Sequence, residues 1–142
     1  MGWHTIKIRP ADKWWSWVVR WEARKCEFGV KCIPQERKNL ETGELDINYL
    51  ECVHYFTRKK ESTRFDRENT YSGCKSCHQY FHRFPEKHKE WMIKRLGQRG
   101  FDLLTIRANT SLKGTKEMQD SMVLIYCKQE LPKLKERGND GW

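Results

Sequence analysis

Residues 68–78 read ENTYSGCKSCH, a segment that places Cys74 and Cys77 three positions apart and directly before His78. Two thiolates at this spacing on a tight turn can bind one tetrahedral zinc ion from the same side. The alternative interpretation is a pair of small buried thiols at the start of a helix. The neighbouring residues favour zinc, so the segment predicts a fold stabilised by a bound metal ion.

The other half of such a zinc site must come from cysteines upstream. Cys26 and Cys32 are the favoured candidates, although their spacing is wider than that of the usual knuckle. Cys52 is a substitute, and a site of three thiolates with another group also stays open. We expect a structural zinc ion bound by Cys26, Cys32, Cys74 and Cys77.

The composition indicates the class of partner. The 142 residues include 28 Lys and Arg against 19 Asp and Glu, a net charge of +9 that favours a polyanion such as DNA, RNA or an acidic membrane surface. No secretory signal is recognisable, and the most apolar stretch, residues 14–21, is too short to span a bilayer. We expect a cytoplasmic protein with no membrane partner, in which cysteines more often bind metals than form disulfides.

The pattern along the chain predicts one domain over residues 1–142 with three parts: an N-terminal helix over 11–25, a core over 26–84 and a helical extension over 85–142. Residues 26–48 suit a loop or short hairpin, residues 49–57 a strand and residues 58–68 a basic loop.

A helix is expected after Cys74, with an interruption at Pro85. Residues 86–96 resume the helical pattern before a stop at Gly97 and Gly100. A last helix over 115–136 is expected to turn Met118, Met122, Ile125 and Leu131 inward, and to kink or end at Pro132.

The tryptophans of residues 11–25 cannot all face inward from one helix. Core packing is the first interpretation for them and a dimer contact is the second. These tryptophans are Trp14, Trp15, Trp17 and Trp21.

Three polar residues suggest hydrolysis of a phosphodiester. A histidine at a strand end, His54, can act as general base on a water molecule. A carboxylate three positions earlier, Glu51, and the imidazole of His78 can hold a divalent ion against a phosphate oxygen. His82 can share a helix face with His78, but contact with DNA or solvent is the simpler interpretation.

The same residues resemble a known motif. His54, Asn69 and His78 look like the three signature positions of HNH nucleases. The segments ADKWWSWVVR, ECVHYFTRK, TRFDRENTYSGCKSCH and HKEWMIKRLG together resemble the phage NinG (Rap) recombination endonuclease family, which is related to endonuclease VII type resolvases. The resemblance covers nearly all of residues 11–104.

The resemblance implies a role for each position. Glu51 and His78 would bind the catalytic ion, magnesium or manganese, and His54 would be the base. Asn69 completes the catalytic motif in a supporting role, because its amide holds the loop that orients the histidine. Phosphate contacts would come from a basic run that is otherwise a solvated loop: Arg58, Lys59, Lys60, Arg64 and Arg67.

The sequence departs from the family in two places. When Cys32 is aligned with the first thiol of the family's upstream Cys-x-x-Cys, Gln35 stands at the second. Glu51 stands where members of the family also carry Asp or His, and His78 stands where they also carry Asn. The second departure keeps metal-binding chemistry but alters metal preference, since an imidazole tolerates softer ions than an amide does.

We therefore expect an α+β fold with a zinc-stapled ββα-metal core of the HNH (His-Me finger) type and flanking helices. The expected function is that of a metal-dependent DNA endonuclease in a phage context. Its expected substrates are four-way junctions or other branched DNA, and a homodimer is expected by analogy. The alternatives are a non-catalytic zinc-binding DNA protein and an RNA-binding zinc module.

Overall fold

The computed structural model describes residues 6–32 and 47–138. The elements are helix α1 (Pro10–Ala23), strands β1 (Leu50–His54) and β2 (Thr70–Cys74), and helices α2 (Lys75–Arg83), α3 (Pro85–Ala108) and α4 (Lys116–Gly138). Short 3-10 turns cover Ile47–Tyr49 and Glu61–Thr63. The mixture of helices with a two-stranded sheet confirms the α+β class. Most of the loop or hairpin predicted between residues 26 and 48 lies outside the described residues.

Strands β1 and β2 form an antiparallel hairpin that leads directly into α2. The register pairs Glu51 with Gly73 and His54 with Thr70. Because Cys74 both ends β2 and precedes the first turn of α2, the hairpin and the helix share one joint. The strand predicted over 49–57 is confirmed in type but is shorter at both ends.

Gly73 allows a close approach between the hairpin and the segment after α1. A Cβ atom at this position would lie 2.6 and 2.7 Å from two ring carbons of Phe28 and 3.1 Å from Val53. Phe28 therefore packs directly on β2, where it joins a core cluster that includes Val53, Tyr71 and Phe81. This packing brings the chain between Cys26 and Cys32 against the hairpin.

Helix α1 begins at Pro10, whose fixed φ suits the first turn, and Asp12 accepts a hydrogen bond from the Arg9 backbone N–H at 2.7 Å. Its buried face, Trp15, Val18 and Val19, follows helical spacing and confirms the helix predicted over 11–25. These side chains pack in a second core cluster with Cys127, Leu131 and Leu134 of α4. Core packing is thus the role of Trp15, while the other three helix tryptophans are only partly buried.

The inward face predicted for the last helix was wrong. Met118, Met122 and Ile125 are 59 %, 68 % and 60 % exposed, whereas Leu131 is buried as expected. The reason is that α4 meets α1 through the face that carries residues 123, 127, 131 and 134, and Met118, Met122 and Ile125 lie on the opposite face of the helix. Pro132 lies inside α4 and does not end it.

Gly97 interrupts α3 without ending the helical region. Its φ of 76° is a left-handed value that glycine adopts readily, and it breaks the helix at the predicted place. A second helical segment follows at once because Phe101, Leu104 and Ala108 recur at helical spacing and are buried. The prediction that the helix stops at Gly97 and Gly100 was therefore wrong for residues 98–108. Within the described residues, no helix is both long and apolar enough to cross a membrane.

His88 of α3 is enclosed by aromatic rings. Its ring stacks on Phe81 with centroids 4.5 Å apart and meets Tyr55 and Phe28 edge-on at 4.9 and 5.7 Å. The side chain is 8 % exposed, and its Nε2 has no hydrogen-bond partner among the described residues. Burial lowers the pKa of His88 to about 4, and the nearby His78 and His82 add to this effect. The folded protein thus holds this ring neutral.

We predict that replacing His88 with Phe removes part of the acid sensitivity of folding. The unfolded chain binds a proton at a pKa near 6.5, whereas folded His88 binds one only near pH 4, so stability falls as pH drops through this window. The wild type should lose roughly 2 kcal/mol from this residue between pH 7 and pH 5. Denaturant unfolding at both pH values should show a smaller loss for His88→Phe.

The matched control is His82→Gln, because His82 is exposed on the neighbouring helix. This variant should retain the wild-type pH dependence. An unchanged pH dependence in His88→Phe would contradict the assignment of the acid-sensitive group to His88.

Candidate metal centre and histidine cleft

The sulfur atoms of four cysteines converge where the segment after α1 meets the joint of β2 and α2. All four Sγ atoms of Cys26, Cys32, Cys74 and Cys77 lie within 4.8 Å of one another. Zinc–sulfur bonds of 2.3 Å in a tetrahedron place sulfur atoms about 3.8 Å apart, and Cys32 Sγ lies 3.7 Å from Cys77 Sγ. The cluster can therefore hold one tetrahedral ion such as zinc. The predicted wide upstream pair, Cys26 and Cys32, is brought together here.

Backbone N–H groups point at these sulfur atoms. The Lys31 N–H donates to Cys77 Sγ at 3.2 Å. The pKa of Cys26 is lowered to about 4 by a hydrogen bond from the Cys77 thiol and by backbone donors that include Gly29. Burial raises the pKa of Cys74 to about 11. Since burial disfavours the thiolate of Cys74, a divalent cation would supply the charge that stabilises it.

Cys52 lies apart from the cluster. It packs against the cluster formed by Trp15 and Cys127, on the side of the hairpin that faces α1. Burial raises the pKa of its thiol to about 12, so Cys52 stays protonated. The cluster of described residues that can hold a metal does not include Cys52, which removes it as the substitute ligand.

Glu51 and His78 meet beside the cysteine cluster. Glu51 lies opposite Gly73 in the hairpin, and Gly73 directly precedes Cys74. His78 follows Cys77 on the first turn of α2. Glu51 Oε1 lies 2.9 Å from His78 Nδ1, and both side chains are partly exposed. The structure thus joins two of the predicted metal ligands from separate elements. These two side chains are candidate metal ligands that solvent can reach.

The ring of His54 is held through one of its two nitrogen atoms. Its Nε2 lies 3.0 Å from the carbonyl oxygen of Arg64. Because a carbonyl only accepts hydrogen bonds, Nε2 must carry the proton and Nδ1 must keep its lone pair. Burial, with the nearby Arg58 cation, lowers the pKa of His54 to about 4. The imidazole is therefore neutral at ordinary pH.

A cleft of about 340 Å³ brings four histidines together. Its polar lining includes His54, His78, His82 and His88, and its apolar lining includes Val53 and Phe81. The rings of His78 and His82 are 5.5 Å apart between centroids. His82 was not predicted as a site residue, although its spacing of four from His78 is a signal that the sequence carries. His88 carried no recognisable signal, because its contribution depends on how α3 packs against α2.

Asn69 is fully buried and supports the loop beyond β1. Its Oδ1 accepts the Phe56 N–H at 2.8 Å, while its Nδ2 donates to the carbonyl oxygens of Phe56 and Thr63 at 2.9 and 3.1 Å. Every donor and acceptor of the amide is directed to the backbone of residues 56–63. Asn69 thus closes the loop that carries the carbonyl of Arg64 to His54, which is a positioning role.

The predicted phosphate-binding residues divide into two groups. Arg64 is 3 % exposed, donates to both carboxylate oxygens of Asp12 at 2.9 and 2.6 Å, and also binds the Lys7 carbonyl. Burial alone would raise the pKa of Asp12, but the hydrogen bonds from Arg64 and Arg9 lower it. The guanidinium of Arg64 is used to hold the N-terminal segment, α1 and the loop together. Its predicted role in direct DNA contact is corrected to a structural one.

Arg67 is likewise committed to carboxylates, since it binds Glu22 at 3.1 Å and Glu27 at 3.0 Å. The remaining members of the run are more accessible. Lys59 and Lys60 are exposed, and Arg58 is partly exposed at 3.6 Å from Asp12. These three side chains retain the accessibility that binding to a polyanion requires.

Comparison with known proteins adds no identity. No protein-family model, no curated protein and no solved structure matches the chain.

We predict that Cys32→Ser abolishes stable zinc binding. The purified wild-type chain should contain close to one zinc ion that resists mild chelation. The variant should contain much less and unfold roughly 10 °C lower, because losing a structural ion removes several kcal/mol. Metal analysis by atomic emission and thermal unfolding measure the two effects.

Cys52→Ser is the matched control, because it also replaces a partly buried thiol but one that lies outside the cysteine cluster. It should retain the zinc of the wild type. Loss of zinc in Cys52→Ser together with full retention in Cys32→Ser would contradict the assigned ligand set.

Proposed function

We propose that the protein is a metal-dependent DNA endonuclease of the HNH type, which hydrolyses phosphodiester bonds in branched or recombining DNA in a phage context. The motif resemblance supplies the substrate and the setting. The ββα order of β1, β2 and α2 supports the proposed core, since it lets a histidine at the end of β1 and another at the start of α2 line one cleft.

The position of His54 is the observation that carries the proposal. A general base must be unprotonated and must present its lone pair to the site of reaction. The hydrogen bond to the Arg64 carbonyl and the lowered pKa of His54 meet the first requirement, and its place in the cleft lining supports the second. A buried packing histidine would not need an open cleft beside it.

Glu51 and His78 would hold the catalytic divalent ion. Two ligands at neighbouring corners of an octahedral magnesium ion, with bonds of 2.0–2.1 Å, lie about 2.9 Å apart. The separation of Glu51 Oε1 and His78 Nδ1, 2.9 Å, fits this arrangement. When bound there, a magnesium or manganese ion supplies positive charge beside the phosphate oxygens. Two protein ligands leave room for water and phosphate, as hydrated magnesium prefers.

The proposed reaction needs no covalent intermediate. His54 Nδ1 takes a proton from a water molecule, whose oxygen forms a bond to phosphorus. The bond from phosphorus to the 3′ oxygen breaks, and this oxygen takes a proton from solvent. Asn69 contributes by holding the loop, so that the Arg64 carbonyl keeps the proton of His54 on Nε2. The exposed cations Lys59 and Lys60 favour the approach of a polyanion.

A non-catalytic zinc-binding DNA protein is the second candidate. The contact between Glu51 and His78 favours it, because a carboxylate and an imidazole can also form a simple surface hydrogen bond. The clusters of three or more candidate ligands among the described residues do not include this pair. In this second function the cysteine cluster and the basic surface bind DNA, and the histidine cleft has no chemical role.

We predict that His54→Ala reduces cleavage of a labelled four-way junction by roughly 10²–10⁴-fold in magnesium or manganese, because it removes the base. His82→Ala is the matched control, since it removes an imidazole from the same cleft and should retain most activity. Single-turnover cleavage rates measure both. Wild-type binding without cutting would reject the endonuclease and leave the second candidate.

We predict that Glu51→Gln raises the magnesium concentration required for half-maximal cleavage, because a neutral amide binds the ion more weakly than a carboxylate does. A metal titration of the cleavage rate measures this shift, and the zinc content should stay unchanged. If cutting survives both Glu51→Ala and His54→Ala, the assigned roles are wrong.

A further inference from the structure

A second cleft, of about 390 Å³, is lined mainly by cations. The histidine cleft is lined by residues 53–57, and the second cleft continues along the same loop with Arg58 and Lys59. Its other cationic walls come from elements far apart in sequence. Lys7 and Arg9 lie before α1, Arg64 lies in the loop, and Lys116 starts α4.

The cations of the second cleft outnumber the carboxylates that pair with them. Asp12 pairs with Arg64 at 2.6 Å and lies 3.6 Å from Arg58. Glu61 and Asp120 pair with Arg9 at 2.9 and 3.2 Å. Six cationic side chains thus share three carboxylates, which leaves a surplus of three positive charges in a concave site.

Several of these cations have no close anionic partner among the described residues. The ion pairs found in the described part of the chain include neither Lys7 nor Lys59, and both side chains are exposed. Lys116 is 62 % exposed and lies 3.9 Å from Glu61, at the outer limit of an ion pair. The Nε atom of Arg9 is buried without a hydrogen-bond acceptor among the described residues. Arg58 Nε lies 3.6 Å from Asp12 Oδ1, which is beyond hydrogen-bond distance.

A third cleft, of about 520 Å³, extends the second. The two share Lys59, Glu61 and Lys116, and the third also includes Lys60 and the turn between α3 and α4. The histidine cleft and the two basic clefts therefore follow one another along residues 53–62. We call the two basic clefts, from Lys7 to Lys116, the basic track.

We infer that the basic track binds the sugar-phosphate backbone of DNA and leads it to the histidine cleft. Successive concave sites with surplus positive charge suit a polymer with regularly spaced phosphates better than one small anion. Lys59 and Lys116 make the phosphate contacts, and Arg64 holds the walls together from beneath. The inference that the basic track leads to a scissile phosphate rests on the proposed function. The inference that the track binds the DNA backbone does not.

The test compares salt dependence of DNA binding. Fluorescence anisotropy with a labelled duplex and a four-way junction, in buffer without added magnesium or manganese, gives the affinity at several salt concentrations. The double variant Lys59→Ala/Lys116→Ala should lower the slope of log affinity against log salt by about 2, because each lost phosphate contact lowers it by about 1.

The control variant is Lys94→Ala/Lys133→Ala, which removes two exposed lysines that line none of the three clefts. Its slope should match that of the wild type. An unchanged slope in the track variant, an equal fall in the control, or no DNA binding by the wild type would each overturn the inference. Binding that behaves as expected without any cleavage in magnesium would instead reject the endonuclease and leave the track in place.

Discussion

Four sulfur atoms within 4.8 Å of one another tie the segment after α1 to the joint between β2 and α2. Cys26 is stabilised as a thiolate, whereas burial raises the pKa of Cys74. A divalent ion would supply the charge that stabilises all four thiolates. The rest of the site depends on this joint, because β2 ends and α2 begins at one of the ligands.

The joint sets the positions of the polar side chains around it. His78 follows a ligand directly, and Glu51 lies across the hairpin from Gly73, so a shift of the joint would separate the pair. Phe28 packs over Gly73 and fastens the same segment from the apolar side. At the far end of β1, Asn69 and Arg64 hold the loop whose carbonyl fixes the proton of His54. The cysteine cluster, apolar packing and hydrogen bonding thus all act on one small hairpin.

Local sequence signals predicted the parts of the fold that depend on short-range chemistry. The Cys74–Cys77 spacing, Pro10 and the strand-forming residues at 49–57 each act within a few residues, and the predicted N-terminal helix and strand are present. The four cysteines were identified despite the wide spacing of Cys26 and Cys32, because cysteines in a reducing compartment more often bind metals than form disulfides.

The errors come from contacts between distant elements. Which face of α4 is buried depends on where α1 crosses it, so Met118 and Met122 satisfied a helical pattern and yet lie in solvent. Arg64 belonged to a basic run, but the carboxylate of Asp12, far away in sequence, binds it in the interior. His88 enters the cleft only because α3 folds back on α2. Sequence spacing carries no information about such partners.

We propose that the cysteine joint holds Glu51 and His78 as a second metal site, beside the cysteine cluster. Crystals of the zinc-loaded protein grown with manganese test it most directly, through anomalous difference maps recorded at the zinc and manganese absorption edges. We expect a zinc peak among Cys26, Cys32, Cys74 and Cys77 and a separate manganese peak bound by Glu51 and His78. A zinc peak with no manganese between Glu51 and His78, at concentrations that saturate any effect on DNA cleavage, would contradict it.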